Sequence, residues 1–345
     1  MTTENARHFF EKYTGVESSE FFILPQSGSS RKNFVGEASG QKFVITSNEN
    51  LAENESFYYF SEIFSELELN TPRILSISPD RKLYIQEFLG EKTLSEIIAE
   101  EGTSERTKFL VEQVLKKLFE LQRRSENIID WKKTFEYENY DEFPITNDLF
   151  YFKSFIADVL EIPYHKGNLL KEFKKLTEEI SLLEPKGMMI RDFQARNIMV
   201  NRKDEVFFID YQSAMKGPLI YDVVSFLFQA KANFSPNFRS EMLEYYFSLW
   251  EKEFGIEQSE KLTQLKNSLK PIQLIRFLQV LGAYGFRGLI QRKEHFISSI
   301  EKGIENLRHF SENWQKMNDF PELRKLIIEL NTDETYKKIN HMISG

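Results

Sequence analysis

Residues 187–215 read GMMIRDFQARNIMVNRKDEVFFIDYQSAM. Within this interval 188–190, 198–200 and 206–209 are short apolar runs of strand length, and the connections between them are polar. Short buried strands with polar residues at their ends are where a fold usually builds a site. Asp192 and Asn197 lie five apart on the first connection, and Asp210 closes the third run, eighteen residues after Asp192 (210 minus 192). Taken singly, each is also what a turn or a cap uses. Taken together, they place one carboxylate near a nucleophile and aim two oxygen ligands at one hard cation. Phosphoryl transfer asks for little more than that, because its transition state is stabilised by neutralised charge and an oriented acceptor.

Upstream, the sequence has the outline of a small sheet. Residues 21–24, 33–38, 42–46, 73–78 and 83–88 are short, β-branched or aromatic, and bounded by turn formers. One helix is inserted at 51–67, where Phe57, Phe60, Phe64 and Leu67 recur at three and four and mark one face. From about Leu94 the pattern turns helical almost throughout, with helices expected at 104–124, 147–162, 167–183, 235–254, 258–267, 270–291 and 294–315. The fold expected is α+β and protein kinase-like with two lobes. A small antiparallel-sheet lobe with one helix over about 1–90 would bind nucleotide, and a mostly helical lobe over 91–345 would carry the catalytic loop and the acceptor site. An Asp-x-x-x-x-Asn loop followed by an apolar strand ending in Asp, behind such a lobe, is the ground plan of protein kinase-like phosphotransferases.

Composition removes several other classes. A chain of 345 residues, 41% of them hydrophobic, can bury more than one core. The 45 basic against 53 acidic residues give a net charge of -8 spread along the chain, which argues against nucleic acid as a partner. With no cysteine, the chemistry cannot use disulfides, thiolates or cysteine-held zinc, and the five histidines have no paired metal-ligand spacing. The 32 phenylalanines recur at helical and strand spacing rather than beside basic clusters, so they read as packing. MTTENARHFFEKYTG has no apolar core before a cleavage site, and no later run has the length to span a bilayer, so a cytoplasmic protein with no membrane partner is expected.

IRDFQARNIMV (190–200) and FFIDYQSAMKGPLIYDVVSFL (207–227) resemble the catalytic segment of the aminoglycoside phosphotransferase and choline kinase-like family. Within it the chain is similar to the bacterial kinases that phosphorylate the anomeric hydroxyl of N-acetylmuramate and N-acetylglucosamine. LPQSGSSRKNFVG (24–36) is similar to their phosphate-covering loop, LYIQEFLGEKTL (83–94) to their hinge, and LQVLGAYGFRGLIQRKEHFI (278–297) to part of their C-terminal helices. The resemblance implies ATP and Mg2+ as cofactors, Asp192 as base for the acceptor hydroxyl, and Asn197 and Asp210 as metal ligands. It also implies that Asp222 steadies the catalytic loop, and that Gln212, shared with the amino-sugar branch, belongs to the substrate side. The acceptor is expected to be a sugar; a cationic amine alcohol such as an aminoglycoside, or a pseudokinase acting through a partner, are the alternatives.

The sequence departs from the family where a loop-fastening His becomes Ile190 and where a third-strand Lys becomes Thr46, with Lys42 displaced by four residues. Arg31 or Lys32 is the best-placed substitute cation, with Ser29 and Ser30 beside them in the covering loop. Glu55 on the inserted helix is the candidate acid for the nucleotide cleft, and a solvated helix glutamate is the plainer reading. The main chain around Glu87 and Leu89 is expected to pair with adenine, since backbone groups at a strand end are free to do so. On the acceptor side Asp148, Tyr151, Lys153, Tyr284 and Arg287 are candidates, each with an ordinary packing role as its alternative.

Overall fold

The structure, a computed structural model, describes residues 2–25 and 31–344. Packing divides the chain into two compact units, residues 1–138 with 190–215, and residues 139–189 with 216–345.

In the first unit, β1 (Glu20–Ile23), β2 (Lys32–Ala38), β3 (Gln41–Ser47), β4 (Ile74–Ile77) and β5 (Leu83–Glu87) form an antiparallel sheet in the order β1-β2-β3-β5-β4. Phe34 stands opposite Ile45, and Ile45 opposite Ile85. Strand alternation therefore turns Phe34, Phe43, Ile45, Leu83 and Ile85 to one face, where they form a core with Ala6 and Phe10. Those last two come from α1 (Thr3–Thr14), a helix that the sequence reading lacked. It is bounded by local chemistry: Thr2 accepts from the Asn5 N–H at its start, and Gly15 at φ 73° ends it by donating to Glu11. Phe10 lies flat over Gly36, where a Cβ would strike its ring.

The opposite face of the sheet meets α2 (Leu51–Glu66), capped by Asn50 and close to the expected 51–67. Phe57 packs on Tyr84 of β5 at 5.1 Å, and Phe60 and Phe64 are fully buried. Each buried Phe contributes roughly 2–3 kcal/mol of burial energy. The expected sheet with one inserted helix is thus present, with α1 as an addition.

After the sheet, β6 (Lys92–Thr93) pairs with Ile198–Val200, which pairs with Val206–Phe208. Gly90, at φ 150°, lets the chain pass close under the Val200 carbonyl, where any Cβ would collide. Helices α3 (Leu94–Glu101) and α4 (Glu105–Ser125) follow, and α3 opens with a Thr93/Glu96 capping box.

The second unit is mostly helical: α5 (Glu142–Phe152), α6 (Lys166–Ser181), α7 (Ile220–Leu227), α8 (Pro236–Phe254) and α9 (Ser259–Tyr284), with short helices beyond. Two strands, Lys186–Met189 and Met215–Pro218, pair with each other. Where two helices were expected at 258–267 and 270–291, α9 is one helix that passes through Pro271. Proline removes one backbone bond, but Leu265, Ile272, Leu274, Ile275 and Leu278 are fully buried around it, and that packing outweighs the local penalty. α5 begins at Glu142, earlier than the expected 147, and both α5 and α9 run on into π-helical turns, Lys153–Asp158 and Gly285–Ile290. The expected 294–315 helix is broken into Glu294–Ile297 and Ile300–Asn313. Among the described residues no helix is long and apolar enough to cross a membrane.

Candidate active site

The three motif residues converge in the first unit, and Asn197 is what joins them. A short 3-10 turn, Ala195–Asn197, aims its side chain inward, where Nδ2 donates to the Asp192 main-chain oxygen (2.9 Å) and to Asp210 Oδ2 (3.2 Å). Its main chain adds a third tie, since Ile209 N–H donates to the Asn197 carbonyl (3.0 Å). The Asn197 side-chain oxygen accepts no hydrogen bond among the described residues, although the residue is only 9% exposed.

Asp192 follows a sharp turn in which its own N–H bonds to the Ile190 carbonyl (3.0 Å), with Arg191 at φ 74° between them. Such three-residue turns are strained and collect at functional positions. Packing holds this one in place. Ile190 is buried, and Phe193 sets its ring edge-on against Phe208 at 4.8 Å. The Asp192 carboxylate itself is half exposed and lies 3.6 Å from Arg196.

Asp210 also sits at a positive φ, 66°. The residues after it are anchored on α2: Ser56 donates to the Gln212 carbonyl (2.7 Å), and Tyr211 is fully buried, stacked on Phe57 at 4.9 Å with its hydroxyl bonded to Ser61 (2.7 Å). Burial pushes the Tyr211 hydroxyl above its usual value, so it stays protonated. Tyr211→Phe should lower stability by about 1 kcal/mol by removing the buried bond to Ser61, whose hydroxyl keeps only its bond to the Phe57 carbonyl (2.7 Å). An unchanged urea midpoint would mean that this bond does not help hold the turn.

Around Asp210 lies an ionic network. Arg31, just before β2, pairs with Asp210 Oδ1, gives Nη1 to Gln212 Oε1 (3.1 Å), and lies 3.4 Å from Glu53 Oε1. Gln212 Nε2 also donates to Asp210 Oδ1 (3.2 Å). Burial would raise the Asp210 carboxyl, but the adjoining Arg31 charge and the bonds from Arg31 and Gln212 outweigh it and hold the group below the usual carboxylate range.

The acid brought into this network is Glu53, not Glu55. Two positions along a helix are about 200° apart, so the two glutamates face opposite ways. Glu55 is half exposed and forms a fork with Arg81, its Oε2 2.7 Å from Nη2. Glu53, 14% exposed, is steadied by Asn48 Nδ2 (2.9 Å). The sequence signal for Glu53 was available: it lies one turn before Phe57, on the buried side.

On β3, Thr46 offers no cation. Its hydroxyl donates to Asn33 (2.8 Å) and accepts from Gln86 (3.2 Å). Lys42 turns instead to Glu91 (3.4 Å), and Lys32 is exposed. At the hinge, the Glu87 side chain is taken by Arg73, and its N–H donates to the Arg73 carbonyl (3.1 Å). Leu89, beyond the end of β5, makes no backbone hydrogen bond among the described residues. Of the hinge positions, Leu89 therefore keeps main-chain groups for a ligand and the Glu87 N–H does not. Ser29 and Ser30 lie outside the described residues.

The remaining candidates belong to the second unit. Asp148 is 2% exposed and accepts from the Tyr140 hydroxyl (2.9 Å), which makes it part of the packing of α5. Lys153 is committed to Asp158 (2.6 Å). Tyr151, Tyr284 and Arg287 gather instead near the two π-helical turns. Tyr151 packs with Phe155 (4.8 Å) and Phe286 (6.0 Å), Tyr284 with Phe296 (6.1 Å), and Arg287 lies over the Phe296 ring (5.3 Å). The π-helical turns approach closely because Gly282 and Gly285 lie against the Phe152 and Phe155 backbone, where a Cβ would clash. Asp222 is fully buried in the first turn of α7.

Among the described residues there is no cluster of three His, Cys, Asp or Glu side chains fit to hold a metal. Asn197 meets the Asp210 carboxylate through its amide nitrogen, so the hard oxygen donors on offer are few: the Asp210 carboxylate and the Asn197 amide oxygen beside it. Such a set fits magnesium carried by phosphate oxygens and water rather than an all-protein cage.

Comparison with known proteins bears on the family and the fold. The profile of the phosphotransferase enzyme family matches residues 23–256. The N-acetylmuramate/N-acetylglucosamine kinase of Neisseria meningitidis is 25% identical over 273 residues, covering 77% of each chain. Among solved structures, the choline kinase of Streptococcus pneumoniae superposes with a TM-score of 0.59 at 10% identity over 89% of this chain and 99% of its own. A thermostable mutant of an aminoglycoside phosphotransferase, in a ternary complex with ADP and hygromycin B, gives 0.55 at 15% identity over 88% and 98%. These structural likenesses establish a protein kinase-like fold.

Proposed function

This chain belongs to the phosphotransferase enzyme family, and we propose that it transfers the terminal phosphoryl group of magnesium-ATP to a hydroxyl of a small molecule, by preference the anomeric hydroxyl of an N-acetylated amino sugar. The convergence of Asp192, Asn197 and Asp210 through the Asn197 side chain carries the reaction class. The choice of acceptor rests on the Neisseria relative.

In this reading residues 1–90 supply the covering loop and the hinge, and residues 91–345 supply the acceptor site and the catalytic loop, the latter packed with residues 1–138 rather than with the helical unit. Leu89 offers its main chain to the adenine edge. Asn197 and Asp210 hold magnesium, which when bound neutralises charge on the transferred group. Asp192, half exposed at the head of its turn, accepts the proton of the acceptor hydroxyl as that oxygen attacks phosphorus. Tyr151 and Arg287 offer an aromatic wall and a cation to the acceptor, the pairing expected for a sugar that carries polar or anionic substituents.

The test is ADP release by the purified protein with magnesium-ATP against N-acetylated amino sugars, neutral sugars, choline and aminoglycosides. Turnover confined to the N-acetylated amino sugars is the expected result. Turnover on aminoglycosides alone would replace the acceptor class, and silence across the panel would remove the proposed reaction.

A further inference from the structure

We propose that Arg31 is the cation that receives the nucleotide phosphates, in place of the lysine that β3 lacks, and that it does so by exchanging its contact with Asp210 for a phosphate oxygen. The inference rests on the kinase reading above. A triphosphate needs a fixed positive charge beside the metal-side carboxylate. Of the other nearby cations, Lys42 is drawn off to Glu91, Lys32 is exposed and Arg196 lies against Asp192, while Thr46 on β3 is neutral and its hydroxyl is bonded on both sides. Arg31 is 12% exposed in its side chain and touches Asp210, Gln212 and Glu53 at once.

Two features make it a receiver rather than a structural clamp. Its guanidinium meets an oxyanion, and its planar fork fits phosphate and carboxylate alike, so one can replace the other without moving the backbone. The carboxylate it meets also lies within reach of the Asn197 side chain, through its other oxygen. With Asp210 engaged on the magnesium-nucleotide, Glu53 and Gln212 would keep the guanidinium in place while its charge turns to phosphate. Glu53 is then a positioning residue, itself oriented by Asn48, which in turn is bonded to Asn54 (3.0 Å).

Equilibrium binding of ATP, ADP and adenosine to Arg31→Gln, Arg31→Lys and Glu53→Gln tests this by calorimetry, independently of turnover. Arg31→Gln should weaken ATP by about ten- to a hundredfold, the worth of one or two charge-assisted bonds, and leave adenosine unchanged. Arg31→Lys should recover part of that loss, and Glu53→Gln should weaken ATP by a smaller factor, again sparing adenosine. ATP bound by Arg31→Gln as tightly as by the wild type would overturn the assignment, as would an equal loss for adenosine. If Arg31→Gln does not fold, Arg31→Met takes its place, and ATP bound by it as tightly as by the wild type has the same force. Wild-type protein that binds no ATP would remove the kinase reading itself, which separates the two failures.

Discussion

Asp192→Asn should lose about 10²- to 10⁴-fold in turnover, the usual range for a positioned base, while binding ATP within about twofold of the wild type. The structure separates the two readouts. Asn197 is anchored on the main-chain oxygen of Asp192, not on its carboxylate, so replacing the side chain leaves the bond that orients the metal-side residues in place. The half-exposed carboxylate has one long contact, to Arg196, and its loss should change stability by no more than about 0.5 kcal/mol. Steady-state ADP release and calorimetric ATP binding decide the matter. Undiminished turnover would strip Asp192 of the role of base, and lost ATP binding would mean that the carboxylate acts on the nucleotide.

Asp210→Asn should be as severe for turnover, about a thousandfold, but with the opposite signature in binding. Asparagine tolerates the positive φ of this position and keeps the shape of the side chain, so the turn should hold. What disappears is the charge that answers Arg31 and that, in the proposed reaction, ligates the cation. ATP binding should lose its dependence on magnesium, while ATP without metal should bind at least as well as to the wild type, because a negative charge facing phosphate has gone. A magnesium titration identical to that of the wild type would show the metal to be held elsewhere.

How much of this was legible beforehand follows from what kind of signal each element leaves. The catalytic interval was readable because its polar residues stand at the ends of apolar strands, and 198–200 was found as Ile198–Val200. The inserted helix was readable because Phe57, Phe60 and Phe64 keep a three-and-four spacing. α9 was not, since Pro271 argues locally for a break and only burial on several sides overrides it. The choice between Glu53 and Glu55 was open to the same spacing, which puts Glu53 one turn before Phe57 on the buried side. Asp148 read as an acceptor candidate with an ordinary packing role as its alternative, and it lies buried, bonded by the Tyr140 hydroxyl. Ser56, Ser61 and Tyr211 left no signal, because a hydroxyl on an apolar face looks like a packing compromise until its partner is known.

The first unit is not continuous in sequence: it takes 190–215 from beyond residue 189, and Arg31 waits for a partner 179 residues away. On a ribosome, the strands of the sheet have been made once residue 87 is added, yet Tyr211 has still to be synthesised, and at ordinary elongation rates that takes roughly 10 s. During that interval the Phe57 and Phe64 rings of α2 lack the aromatic partner that covers them, and a nascent chain is at its stickiest. The same residues that assemble the candidate site are therefore the ones that end this exposure, so the site forms in the same step that closes the first unit.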